Sequence, residues 1–213
     1  MSFKRKKYQV IRRALPKKFA NFIFSYMLLQ RRAVDFMVNK EKLNPRSLFI
    51  GNRLDKQVPG CYTKYADWVM ETLLIHMIPI MKRKLGVELI PTCSYTRLYE
   101  KGNILHRHKD RSSCEVSTTM HLGGDEWPIF IGPKETQINL KVGDMLIYEG
   151  SKLEHWRDPF KGTVCSQVFL HYHYPNSPQA KTNLFDKRPI LGIPKHSKDK
   201  GNLYDTCEGR GSI

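Results

Sequence analysis

The sequence lacks an apolar run long enough to cross a membrane. Its longest, Phe19 to Leu29, spans 11 residues and includes Asn21 and Ser25, well short of the ~20 residues a spanning helix needs. It lacks CxxC pairs. Its five cysteines (Cys61, Cys93, Cys114, Cys165 and Cys207) are odd in number and scattered. A zinc ribbon or finger and a disulfide scaffold are both excluded on that count. Acidic residues are scarce, with 20 Asp and Glu against 36 Lys and Arg. The imbalance is local: residues 1–46 hold 13 basic and 2 acidic residues, so 11 of the 16 net positive charges lie there. No small-residue cleavage site follows Phe19–Leu29, which ends in Gln30-Arg31-Arg32. A secretory leader is therefore not expected. Reduced thiols and a cytoplasmic location are.

What is present suffices for a folded core. Apolar residues make up 40% and aromatics 11% of 213 residues, which excludes a wholly disordered chain. Residues 1–18 are basic and turn-poor and read as a flexible arm. Phe19, Phe22, Tyr26, Leu29 and Ala33 recur at helical spacing, giving an amphipathic helix over 19–39. Pro45 breaks the chain and Ser47–Ile50 is a short strand candidate. A second helix is expected over 63–85, with Trp68, Leu73, Leu74, Met77 and Ile80 on one side, and Pro79 kinking or bounding it. From there the texture changes. Short β-rich stretches at 93–99, 103–108, 115–122, 127–131, 136–141, 144–148 and 163–174 alternate with glycine-rich turns, the rhythm of a β-sandwich or barrel. Residues 175–213 read as an irregular tail. The expected organisation is an arm, one α+β domain over 19–174 with a β core at about 93–174, and a tail.

His106, His108 and Asp110 stand at i, i+2 and i+4, sharing one face of an extended chain. The HxD of His108 and Asp110 is weak alone. His155 follows later, just before the 163–174 strand. Two imidazoles and a carboxylate suit one face of an octahedral ferrous ion and leave the other positions open.

In these residues the chain resembles the Fe(II)/2-oxoglutarate-dependent dioxygenases, in their prolyl-hydroxylase-like branch. The matching features run in order through 94–174: Tyr99, Gly102, the HxD at His108 and Asp110, a strand ending at Gly123-Gly124, the motif Gly143-Asp144-x-Leu146-x-Tyr148, and His155. The resemblance implies a mainly β core, a double-stranded β-helix or jelly roll, flanked by N-terminal helices. It implies iron bound by His108, Asp110 and His155, with 2-oxoglutarate as cosubstrate and O2 as oxidant. The expected activity is hydroxylation of a C–H bond in a protein residue or small molecule, releasing succinate and CO2. Tyr99 and His121 then fall where cosubstrate contacts are expected.

One feature of the family is missing. The cation about ten residues past the distal histidine, which holds the far carboxylate, is replaced by Thr163-Val164-Cys165-Ser166-Gln167. Arg157 with Gln167 is the favoured substitute, and Arg97 an alternative. Plainer readings remain open: Tyr99 as strand filling, Arg157 pairing Asp158 or Glu154 on the surface, Trp127 and Trp156 as packing rather than a substrate mouth. Two rival functions stand beside the oxygenase. One is a cupin-like metal-binding jelly roll that does not use 2-oxoglutarate. The other is a basic nucleic-acid-binding module, or a weak nucleic-acid contact through residues 1–18.

Overall fold

The computed structural model describes residues 3–40, 44 and 49–194. Pro45, the first half of the Ser47–Ile50 strand candidate, Cys207 and the tail beyond 194 lie outside them. Two antiparallel sheets face each other as a jelly roll. The larger consists, in spatial order, of β1 (Tyr8–Ile11), β8 (Met145–Tyr148), β5 (Val116–Gly124), β10 (Val164–His173), β3 (Ile90–Glu100) and β2 (Tyr62–Tyr65). The smaller is β4 (Leu105–His108), β9 (His155–Arg157), β6 (Ile129–Ile131) and β7 (Thr136–Ile138).

Two helices cover the outer face of the larger sheet: α2 (Lys17–Asn39) packs on β5, and α3 (Trp68–Leu85) on β3 and β10. A four-residue helix, α1 (Phe3–Lys6), precedes β1. The central strands are covered on both faces and are buried almost throughout. Their helix-side positions are mostly apolar, while polar side chains such as Ser117, His121 and Gln167 face the space between the sheets. Along β10, Val168, Leu170 and Tyr172 enter the helix-side core, with Met27, Met70, Leu74 and Met81. Cys165, Phe169 and His171 point between the sheets.

The glycine turns position this scaffold. Gly124 has φ +81°, and a Cβ there would strike the Val164 carbonyl. At Gly123 a Cβ would meet the ring of Phe24, so glycine lets α2 lie close on β5.

Four expectations are corrected. The basic N-terminal segment is not a free arm. β1 pairs with β8 at the edge of the larger sheet, and Phe3, Ile11 and Leu15 are buried. Its strand, Tyr8–Ile11, is only four residues long with cations on both sides, too short to be read as one. The second helix starts at Trp68, not 63, because Tyr62–Tyr65 pair with β3 and Asp67 caps the helix. Pro79 lies inside α3, on its exposed face, where a carbonyl without a partner is hydrated and the buried face holds the helix together. The apolar stripe expected to bury α2 points outward; Ala20, Ile23, Met27 and Val34 are buried instead.

Residues 175–194 are irregular, as expected, but firmly docked. A 3-10 turn at Leu184–Lys187 buries Asp186. Asp186 accepts from Tyr65 Oη at 2.7 Å and from both Arg111 Nη atoms at 2.9 and 2.6 Å. Buried Arg188 forms a two-pronged pair with Glu71 at 3.0 and 2.7 Å. No helix among the described residues is long and apolar enough to cross a membrane.

Candidate metal centre

β4 and β9 lie side by side in the smaller sheet, with His108 directly opposite His155. A ladder irregularity between Leu105 and His108 re-aims the end of β4. Asp110 follows just beyond, where its N–H donates to the Gly150 carbonyl at 2.9 Å. One ligand atom from each of the three side chains lies within 4.8 Å of the others. Asp110 Oδ1 is 3.7 Å from His108 Nε2 and 3.6 Å from His155 Nε2. Among the described residues this is the one such group of His, Cys, Asp or Glu side chains.

The surroundings fix the state of all three side chains. His108 Nδ1 lies 2.7 Å from the His106 carbonyl, and His155 Nδ1 lies 3.1 Å from that of Leu153. A carbonyl only accepts, so each Nδ1 carries the proton and each Nε2 keeps its lone pair toward the shared point. Burial and the neighbouring His155 push the His108 pKa down, favouring the neutral ring. Burial alone would raise the Asp110 carboxyl, but His155, His171 and the Ser117 hydroxyl outweigh it and hold it well below the usual range. Ser117 Oγ donates to Asp110 Oδ2 at 2.5 Å. Gly150 is needed here, since a Cβ would collide with both Asp110 Oδ2 and Ser117 Oγ. The donor set and its fixed tautomers fit a divalent metal with mixed nitrogen and oxygen preference, such as ferrous iron.

A cavity of about 350 Å³ opens from this point, with Tyr65, Tyr95, Arg97, Lys109 and Phe169 among its walls. Outside the lining of this cavity, a polar cluster bridges the two sheets. Arg157 extends from β9, two residues beyond His155, and is 1% exposed. It donates to the Trp127 carbonyl and to Thr119 Oγ1 on β5. Its Nε has no partner, and no carboxylate pairs with it among the described residues. Burial without a counter-ion pushes its pKa down. Gln167 on β10 accepts from Thr119 Oγ1 at 3.0 Å, and its Nε2 lies 3.1 Å from His121 Nδ1. His121 Nε2 is buried and unpartnered. A buried guanidinium without a carboxylate is costly, and this one lies beside the candidate metal ligands.

The structure thus groups His108, Asp110 and His155, and separately Arg157, Gln167 and His121. The surface reading of Arg157 is overturned by its burial. Arg97 is already committed: its Nε donates to Asp55 Oδ2 at 2.7 Å and its Nη2 to Gln57 Oε1 at 2.6 Å. Tyr99 is fully buried, edge-on to Trp127 at 4.8 Å, with its hydroxyl accepting from Arg97 Nη1 at 3.4 Å. Trp127 packs between Tyr99 and Phe160, and Trp156 stacks on Phe130 at 5.5 Å; neither is on the cavity wall. His155 lies just ahead of the last strand, as expected, on a short strand of its own, β9.

Several contributors went unread in the sequence. Tyr148 meets the His155 ring edge-on at 4.7 Å. Ser117 and Gly150 stand against Asp110, and Thr119 accepts from Arg157. Ser117, Thr119 and His121 alternate along one strand face, a period-two signal that was present but masked by the strand's burial on both sides.

The fold is that of the 2-oxoglutarate/Fe(II)-dependent oxygenases. Solved structures similar to this chain include a Pseudomonas putida prolyl-4-hydroxylase at 14% identity, covering 82% of this chain and 96% of that one with a TM-score of 0.57. A prolyl hydroxylase from Trichoplax adhaerens, in complex with a hypoxia inducible factor peptide fragment, matches at 13% identity over 80% and 85% of the two chains, with a TM-score of 0.53. HygX from Streptomyces hygroscopicus, with nickel, 2-oxoglutarate and hygromycin B bound, matches at 12% identity over 82% and 85%, with a TM-score of 0.55. No protein-family model and no curated protein matches the chain.

Proposed function

We propose that the protein is an Fe(II)- and 2-oxoglutarate-dependent oxygenase that hydroxylates a C–H bond of a protein residue or small molecule. One observation carries this reading: a His-Asp-His set with both Nδ1 atoms tied to carbonyls stands beside a buried arginine lacking a carboxylate. His108, Asp110 and His155 would hold the metal. Arg157 would take the far carboxylate of the cosubstrate, aided by Thr119 and Gln167. When bound, the iron and 2-oxoglutarate supply the oxidising chemistry, with O2 consumed and succinate and CO2 released. The chain contributes orientation and exclusion of water. Tyr148 packs on the His155 ring, and Tyr99, Trp127 and Phe160 form an apolar wall around Arg157.

The Asp in the metal set and the uncompensated Arg157 favour this over a jelly roll that binds metal without 2-oxoglutarate. A nucleic-acid-binding arm is disfavoured, because Lys7 and Arg12 pair with Glu149 and Asp144. Similar structures accept a peptide in one case and hygromycin B in another, so both substrate classes stay in the proposal. Four buried free cysteines are in keeping with a reducing compartment such as the cytoplasm.

Anaerobic titration with Fe(II) and 2-oxoglutarate tests this reading. A visible charge-transfer band is expected, lost in Asp110→Ala. Absence of the band in the wild type, or its persistence in the variant, would overturn the assignment. Succinate release with candidate peptides and small molecules then addresses the substrate.

A further inference from the structure

Helix α2 has two apolar faces, and the fold uses one. Ala20, Ile23, Met27 and Val34 enter the core. Phe19, Phe22, Leu29 and Phe36 are 46%, 66%, 67% and 62% exposed. Ala33 is also exposed, and Tyr26 is half-buried between them. Isolated exposed apolar side chains are ordinary, but a continuous line of them is not. The order Phe19, Phe22, Tyr26, Leu29, Ala33, Phe36 alternates steps of three and four residues. That places the six on successive a and d positions of a heptad, the seam one helix presents to another. At 1.5 Å per residue the seam is about 25 Å long. Tyr26 is held in place, its hydroxyl donating to Asp67 at 2.8 Å.

Charge identifies the kind of helix that fits. Lys18 and Arg32 flank the seam on one side, and neither has a carboxylate partner among the described residues. The one acid on α2, Asp35, is engaged by Arg53 at 2.8 Å. A second copy of α2 would therefore offer these cations no free carboxylate. A helix with Asp or Glu beside its apolar residues would pair them.

We propose that the outer face of α2 is the docking site for an acidic amphipathic helix of another protein, seated along Phe19, Phe22, Leu29 and Phe36. This surface is formed by a helix on the back of the larger sheet, so the inference stands independently of the metal chemistry.

Two synthetic helical peptides of about 21 residues test it. Both carry the same leucine seam; one has Glu and the other Lys at the flanking positions. Fluorescence anisotropy with the full chain should show the Glu peptide binding at least tenfold tighter than the Lys peptide. Phe22→Asp and Leu29→Asp should each weaken it tenfold or more. Ile75→Asp, at an exposed site on α3, should leave it unchanged. Circular dichroism should show every variant folded, since the altered side chains are exposed. Equal affinity for the two peptides would overturn the proposal. So would a wild-type dimer in sedimentation that Leu29→Asp renders monomeric, which would make a second copy the occupant. Binding to phosphatidylserine vesicles with no binding of the Glu peptide would overturn it in favour of a membrane surface.

Discussion

His108 and His155 face each other across the β4–β9 ladder with ring centroids 4.2 Å apart, and each ties its Nδ1 to the carbonyl two residues earlier in the chain. The two imidazoles are thus fixed by the same local device, which needs only backbone. The side chain at position 106 plays no part in it; His106 contributes its carbonyl and is exposed.

A sharp contrast between neighbouring histidines follows. His106→Ala should leave Fe(II) affinity within about twofold of the wild type, whereas His108→Ala or His155→Ala should lower it by more than about 100-fold. Calorimetric or fluorescence-quenching titration under anaerobic conditions measures both. A large loss in His106→Ala would mean that the strand is re-aimed and that His106 is itself a ligand.

Arg157 is argued to be a carboxylate anchor on the strength of its unpaired Nε and its place beside Thr119 and Gln167. Arg157→Met, which keeps much of the volume, should weaken 2-oxoglutarate by about 3 kcal/mol, on the order of 100-fold, while changing iron affinity little. Arg97→Met serves as the comparison, since Asp55 and Gln57 already occupy Arg97. If Arg97→Met costs the cosubstrate more than Arg157→Met, the anchor lies at the cavity wall instead.

The His-Asp-His cluster was legible because its spacing is largely local: His108 and Asp110 alternate on one extended stretch, and the motif around Gly143 to Tyr148 leads directly to His155. The jelly roll was legible from the rhythm of glycine turns. Other features hid for identifiable reasons. α2 is apolar on two faces, and periodicity cannot say which of them meets the sheet. β1 is an edge strand of four residues set among cations. The role of Gly150 depends on Asp110 and Ser117 converging from elsewhere in the chain, and the pairing of Arg188 with Glu71 spans 117 residues. Long-range partnerships of this kind leave no local pattern.

Asp67 ties α3 to α2. Its Oδ1 accepts from the N–H groups of Val69 and Met70, and its Oδ2 from Tyr26, Gln30 and the Lys64 ammonium. Burial would raise this carboxyl, but Lys64, Tyr26 and Gln30 hold it below its ordinary value. A carboxyl depressed in the folded state stabilises the fold above its unfolded pKa, about 3.9, and that contribution disappears as pH falls through the folded value. Asp67→Ala should cost about 1–2 kcal/mol at neutral pH through the lost cap alone. Asp67→Asn keeps an accepting oxygen and loses the charge. In urea denaturation its deficit relative to wild type should shrink as pH falls from about 5 through the unfolded value and below it. An equal deficit across that range would show that the charge contributes nothing.

The docked tail is tied to the cavity through Asp186 and Arg188, which lie two residues apart. Asp186 holds Tyr65 and Arg111, both on the cavity wall. Arg188 is anchored by Glu71, whose carboxylate also accepts from the N–H groups of Ser94 and Gly192. Removing one member of a buried ion pair strands the other, at a cost of about 3–5 kcal/mol, whereas neutralising both together costs much less. Arg188→Met should therefore destabilise the fold by about 3 kcal/mol. Combining it with Glu71→Gln, which retains an oxygen for Ser94 and Gly192, should recover more than half of that loss. Thermal and urea unfolding of the two single variants and the double variant measure this coupling. Additive losses in the double variant would show that the pair acts only as two separate packing contacts, with no electrostatic hold of the tail on α3.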